Sequence, residues 1–245
     1  QICIFATSMS IYKTLESEIN LKIKNINYML GHSLGEYSAL TCSEKISLKD
    51  ASLILVKRGS LMSSSSKNKS TGMAALIGLN VKKIEQLISE NNINLQIAND
   101  NSPLQTVISG TIEDLENYKP FFLDNGIKKF VKLNVSAAFH SNFMLDAQKE
   151  LNIEIDKINF IENNINIISN FDASLSNNNL QIINSLKQQM ANRVRWVESI
   201  NNLEKSGETK IIEIGPNKVL SGLIKRISNN FDIKSLNEIS DIDSI

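Results

Sequence analysis

The sequence predicts an α/β protein in which a parallel sheet with flanking helices is interrupted by a smaller β-α-β-β-α-β unit. Three observations carry that reading. A short apolar strand runs into Gly31-His32-Ser33-Leu34-Gly35 and then into a helix. Segments of strand and helix character follow in the order β-α-β-β-α-β over residues 71–133. From residue 134 onward, helices alternate with apolar strands at 165–169 and Lys210–Ile214. The expected division is 1–70 with 134–245 as a large subdomain and 71–133 as a small, ferredoxin-like one.

Residues 1–20 suit a helix, because Ile11, Leu15 and Ile19 recur at every fourth position. Residues 25–30 read as a buried strand that stops at Gly31, and Leu34–Cys42 as the helix after it. Ser47-Leu48-Lys49-Asp50 is a capping box opening a helix to about Met62. The polar, low-complexity run 63–70 is the best loop candidate. Within the interrupting unit, 72–79 is a strand and 81–91 an amphipathic helix with Ile84, Leu87 and Ile88 on one face. Strands 95–99 and 104–109 flank an Asn101-Ser102-Pro103 turn. A helix over 112–123, with Pro120 as a candidate end, precedes a strand over 129–135. Gly215-Pro216-Asn217 breaks the strand Lys210–Ile214 and starts the helix Val219–Ile227, and the acidic end, 236–245, is expected to fray.

The composition, 42% hydrophobic and 21% charged over 245 residues, is that of an ordinary globular chain with room for a large core. Lys+Arg and Asp+Glu both number 26, so no global field draws the chain to nucleic acid or an anionic membrane. The longest apolar runs, 52–56 and 165–168, fall far short of a bilayer's width. Cys3 and Cys42 stand at no motif spacing, which argues against a disulfide scaffold and for a reducing compartment or plain burial. With only two histidines besides, no Cys/His zinc site is expected, and no cofactor. The chain opens directly on the apolar Gln1-Ile2-Cys3-Ile4-Phe5, which reads as a start inside a folded domain.

Gly31-His32-Ser33-Leu34-Gly35 is a Gly-x-Ser-x-Gly element between a strand and a helix, the setting a nucleophile elbow requires. The sharp turn exposes the serine hydroxyl, and the glycines on either side are expected to let neighbouring chain pass. The N–H of Leu34 opens the helix and can help hold an oxyanion. The bland alternative, a simple tight turn, is weakened by the flanking strand and helix. A hydroxyl also needs a base, and only His32 and His140 exist. His32 adjoins Ser33 on the elbow, so its ring should point away, which leaves His140 in the loop after a strand. Asp100, Asp114 and Asp124 fall in the interrupting unit, so a backbone carbonyl is expected to orient His140, giving a dyad rather than a triad.

Arg58 lies four residues after Ile54 and four before Met62, on the apolar face of its helix. A buried guanidinium needs an anion, from the protein or from a substrate carboxylate held bidentately. A last-turn or snorkelling arginine fits the periodicity equally well.

The elbow continues as Glu36-Tyr37-Ser38-Ala39-Leu40, and further segments follow: Lys57-Arg58-Gly59, Gly72-Met73-Ala74-Ala75, Asn99-Asp100-Asn101-Ser102-Pro103, 135–140, 189–196 and Glu213-Ile214-Gly215-Pro216-Asn217-Lys218-Val219-Leu220. Together and in this order they resemble the malonyl-CoA:acyl-carrier-protein transacylases of type II fatty-acid synthesis. The resemblance spans nearly the whole chain. It implies an α/β-hydrolase-like large subdomain carrying the ferredoxin-like small one, and malonyl transfer from malonyl-CoA to holo acyl carrier protein through an ester on Ser33. It further implies His140 as base and then acid, the Gln189 carbonyl as the group orienting His140, and Arg58 as the clamp on the malonyl carboxylate. Asn101 and His32 would line the acyl cleft, and Phe139 would disfavour a branched acyl group. The family's N-terminal Gly-Gln-Gly-Ser-Gln loop, source of a second oxyanion N–H, does not occur in this sequence.

A thioesterase or lipase would use the same serine and histidine, and a catalytically silent binding module or the acyltransferase domain of a larger synthase are further alternatives. A monomer is expected, in the bacterial cytoplasm or a plastid-type stroma. Lys187, Lys225 and Arg226 are candidate contacts for an acidic carrier protein.

Overall fold

A computed structural model describes residues 1–18, 26–65, 70–238 and 240–241. Ile19, Asn25, residues 66–69 of the loop expected at 63–70, and residues 239 and 242–245 of the acidic end lie outside the described residues. The elements are α1 (Ile2–Glu18), β1 (Tyr28–Met29), α2 (Leu34–Cys42), α3 (Leu48–Ser64), β2 (Thr71–Ile77), α4 (Val81–Glu90), β3 (Gln96–Ser102), β4 (Gln105–Thr111), α5 (Ile112–Asp124) and β5 (Lys129–Lys132). They continue with α6 (Leu145–Ile155), β6 (Asn166–Ile168), β7 (Leu175–Ser176), α7 (Asn179–Gln188), α8 (Trp196–Lys205), β8 (Lys210–Ile214), α9 (Val219–Ile227) and β9 (Asp232–Leu236).

In the large subdomain β1 pairs parallel with β6, the arrangement expected of a strand–helix crossover, and β7 adds an antiparallel edge. β8 pairs parallel with β9. The helices α1, α2, α3 and α6 close over one core, in which Phe5, Tyr12, Leu40, Ala51, Leu55, Leu151 and Ile155 are all at most 2% exposed. The capping box forms as the sequence predicts: the Ser47 hydroxyl accepts from the Asp50 N–H at 3.0 Å and donates to Asp50 Oδ2 at 2.7 Å.

The small subdomain forms an antiparallel sheet of order β3-β4-β2-β5 with α4 and α5 over its own apolar core. This is the ferredoxin-like arrangement. Its helices start at Asn80 and Thr111, whose side chains accept from the N–H groups of Lys83 and Asp114.

Some boundaries differ from the sequence reading. β3 runs through Asn101 and Ser102, so the turn lies at Pro103-Leu104. Pro103 supplies the fixed φ, and register shifts before Asn99 and before Ser102 absorb the extra residues. Pro120 does not end α5. It sits on the exposed face, where water can meet the carbonyl it leaves unpaired, while Leu115 and Phe122 are buried on the other side. The helix from Leu48 continues to Ser64, two residues past the expected stop. Leu236 belongs to β9 and is fully buried rather than frayed, because β8 pairs with it.

The two subdomains are joined by backbone. The Val194 N–H donates to the Ala98 carbonyl at 2.8 Å, and the Asp100 N–H donates to the Val194 carbonyl at 2.9 Å. Arg193 pairs with Glu85 of α4 at 2.5 Å beside this junction. Among the described residues no helix is long and apolar enough to cross a membrane.

Candidate active site

Ser33 ends the turn from β1 into α2 with φ at +54°, a left-handed conformation that a serine adopts only when its surroundings enforce it. The close approach that makes the turn possible is one-sided. A Cβ on Gly31 would lie 2.2 Å from the backbone of Gly35, whereas one on Gly35 would meet nothing within 4 Å. The expectation that both glycines are needed for clearance therefore holds at Gly31 and fails at Gly35. Asn170, just past the end of β6, clamps the turn from outside. Its Oδ1 accepts from the Ser33 N–H at 2.6 Å and its Nδ2 donates to the Gly31 carbonyl at 2.8 Å.

The Ser33 hydroxyl lies 2.9 Å from His140 Nε2, across 107 residues of chain. His140 also has a positive φ, +55°, at the loop that follows β5. Its Nδ1 faces two main-chain carbonyls, those of Gln189 at 3.0 Å and Asn192 at 3.1 Å. Two acceptors at Nδ1 place the proton there, so Nε2 is left free to accept from the serine. Burial, with the charge of Arg58 second, pushes the pKa of His140 down to about 3, so the ring is neutral at ordinary pH.

Arg58 reaches the same hydroxyl from α3. Its side chain is 1% exposed, and Nη2 donates to Ser33 Oγ at 2.9 Å and to Gln189 Oε1 at 3.1 Å. Nη1 donates to Gln1 Oε1 at 2.6 Å, and the guanidinium lies over the Tyr37 ring at 5.4 Å. Among the described residues no carboxylate forms an ion pair with Arg58. Burial lowers its pKa, the direction expected of a cation held by neutral amides.

The remaining sequence candidates lie around this group. Leu34 is the first residue of α2, so its N–H is one of the first-turn donors left without an intrahelical acceptor. His32 points away from the hydroxyl: its Nε2 meets Asn101 Oδ1 at 2.8 Å, and its ring lies 5.5 Å from Trp196. Asn101 thus reaches the elbow from the small subdomain. Phe139 is half-buried and packs against the large core and against the cluster of Met73, Ala75, Ala98 and Val107. Its carbonyl accepts from the Ser109 hydroxyl at 2.7 Å. Of the three surface cations, Lys187 is paired with Asp156 and Arg226 donates to Gln105, while Lys225 is exposed.

Four neighbours were not assigned a role from sequence: Gln1, Glu36, Asn170 and Asn192. Asn170 had a usable signal, since it follows directly on a predicted strand, where α/β sites collect. Glu36 also had one, a lone carboxylate in the otherwise neutral helix Leu34–Cys42. Gln1 and Asn192 act through an amide and a backbone carbonyl that no local pattern marks.

An elbow serine, a neutral histidine and a buried cation at one hydroxyl suit acyl transfer with recognition of an anionic acyl group. Residues 1–240 match the acyl transferase domain family. The chain belongs to that family. It is 38% identical over 205 residues to a malonyl CoA-acyl carrier protein transacylase of Bacillus subtilis (strain 168), an alignment covering 82% of this chain and 65% of that protein. The chain therefore spans just under two thirds of that relative's length. An acyl-carrier-protein-S-malonyltransferase from Bartonella henselae superposes with a TM-score of 0.93 at 32% identity, covering 99% of this chain and 78% of that one. A malonyl-transacylase solved with its type II PKS acyl-carrier protein gives 0.89 at 30% identity, over 98% and 77%. The family expected from the sequence is the family found, and the two-subdomain fold is the one these enzymes share.

Proposed function

We propose that the chain transfers a malonyl group from malonyl-CoA to the phosphopantetheine thiol of an acyl carrier protein, by a ping-pong mechanism through a malonyl ester on Ser33. The carrying observation is Arg58: a buried guanidinium at the nucleophile's oxygen, hydrogen-bonded to neutral acceptors and in no ion pair with a carboxylate among the described residues. Leaving such a charge uncompensated costs several kcal/mol, so a substrate carboxylate is the natural counter-ion. The printed names of the relatives, including the transacylase solved with its carrier protein, support malonyl and carrier as the two partners.

In the first half-reaction the Ser33 oxygen attacks the thioester carbonyl as His140 Nε2 takes its proton. The oxyanion draws on the Leu34 N–H and the start of α2. Collapse breaks the C–S bond, and the proton passes from His140 to the departing sulfur of coenzyme A. In the second half-reaction His140 takes the proton of the incoming pantetheine thiol, whose sulfur attacks the ester. Collapse returns the proton to Ser33. The carbonyls of Gln189 and Asn192 stabilise the imidazolium that forms in each half. Asn101 and His32 line one wall of the acyl cleft, and Phe139 beside His140 limits the room for an α-branch. No metal or cofactor enters these steps.

Incubation with malonyl-CoA is expected to leave Ser33 carrying a malonyl ester, detected by intact mass and peptide mapping, and Ser33→Ala is expected to stay unmodified. Absence of the ester on a correctly folded chain would remove this reading.

A further inference from the structure

Glu36 is a carboxylate 1% exposed, placed in the first turn of α2, and the chemistry above gives it no task. One of its oxygens, Oε2, accepts twice: from the Asn170 N–H at 3.2 Å and from Gln189 Nε2 at 2.7 Å. Each of these partners holds the elbow in turn. The Asn170 side chain binds the Ser33 N–H and the Gly31 carbonyl. Gln189 Nε2 also donates to the Ser33 carbonyl at 2.8 Å, its Oε1 accepts from Arg58, and its own carbonyl faces His140 Nδ1.

We infer that Glu36 is the positioning residue of the elbow: a single carboxylate oxygen sets Asn170 and Gln189, and through them the Ser33 backbone, the Arg58 guanidinium and the His140 ring. The amide of Gln189 shows why an acceptor is required at this point. Its nitrogen faces two groups that only accept, and its oxygen faces a guanidinium that only donates. With the Glu36 oxygen withdrawn, one of the two bonds that fix this orientation is lost and Arg58 loses a defined partner. The left-handed φ of Ser33 needs the same support, since strain persists only where surrounding contacts over-determine it. What matters is an acceptor at the position of Oε2, not the negative charge. The inference rests on Ser33 and Arg58 forming the malonyl site.

Two variants separate position from charge. Glu36→Gln keeps an acceptor oxygen at the same reach and removes the charge. Glu36→Asp keeps the charge and withdraws the oxygen by one carbon–carbon bond. Single-turnover acylation of Ser33 is measured with malonyl-CoA and with acetyl-CoA, normalised to folded protein. Glu36→Gln is expected to lose less than about threefold with the malonyl-to-acetyl ratio intact. Glu36→Asp is expected to lose about 10- to 100-fold with malonyl-CoA and to lower the ratio, because a slackened Gln189 frees Arg58. The reverse order, Glu36→Gln impaired and Glu36→Asp intact, overturns the inference in favour of a buried counter-charge. Equal losses with an unchanged ratio overturn it in favour of a purely structural role. Should Glu36→Asp not fold, a loss above about tenfold in Glu36→Gln alone overturns it. If the unaltered chain accepts acetyl but not malonyl groups, the malonyl reading fails, and the contrast between the variants on acetyl-CoA still decides for or against Glu36.

Discussion

The small subdomain and the elbow cluster are built by opposite means. In the small subdomain one continuous stretch of chain makes apolar contacts: Ile84 and Leu87 on α4, Leu115 and Phe122 on α5, packed on their own sheet. The elbow cluster is polar, and its parts come from far apart. Ser33 meets Arg58 across 25 residues, His140 across 107, Asn170 across 137 and Gln189 across 156. Apolar cores tolerate change if volume is kept, whereas a buried polar network fails when one member is left unpaired. The first region therefore supplies stability, and the second holds a strained backbone ready for chemistry.

That contrast can be broken in either region. The largest effect is expected from His140→Ala, which should slow acylation of Ser33 by about 10²–10⁴-fold while leaving the fold intact, as read by stopped-flow with malonyl-CoA and by circular dichroism. The same variant has a signature in acid. The buried ring stays neutral down to about 3, while the unfolded chain takes up a proton near 6.5, so the unfolded state binds more protons between those values. The chain should therefore lose stability as pH falls through that window, and His140→Ala should flatten that part of the profile in thermal unfolding. Glu36 acts in the opposite sense. Burial raises its pKa to about 7, so its contribution is full below the ordinary 4.5 and is lost as pH rises through about 7.

Phe122→Ala is the matching change in the small subdomain. Phe122 is fully buried, and its truncation should cost about 3–5 kcal/mol of unfolding free energy by denaturant titration. The acylation rate of the folded fraction and its preference among acyl groups should stay the same. A change in acyl preference would show that the two regions are less separate than their construction suggests.

The same difference decides what could be read in the sequence. The β-α-β-β-α-β order was legible because caps, periodicity and turns are local signals, and the helices Leu34–Cys42 and Val219–Ile227 begin and end where those signals place them. Pro120 misled because a proline on an exposed helical face costs less than one facing the core. β9 was missed because Asp232–Leu236 is stabilised by pairing with β8, a contact with no local pattern. In the site, Ser33 and His140 were legible through the elbow motif and the scarcity of histidine. Periodicity placed Arg58 on an apolar face but left its role open, and only the fold brings it to Ser33. The contributions of Asn170, Asn192 and Gln1 are amide and carbonyl groups aimed by tertiary packing, which a single sequence does not reveal.

The most direct test of the account compares malonyl-CoA with acetyl-CoA as acyl donors for Ser33 in the unaltered chain and in Arg58→Ala. Malonyl transfer should fall by about 10²-fold or more when the guanidinium is removed, and acetyl transfer should change little, so that the preference for malonyl collapses. An equal loss for both donors would contradict a carboxylate clamp and would leave Arg58 as a support for the nucleophile alone.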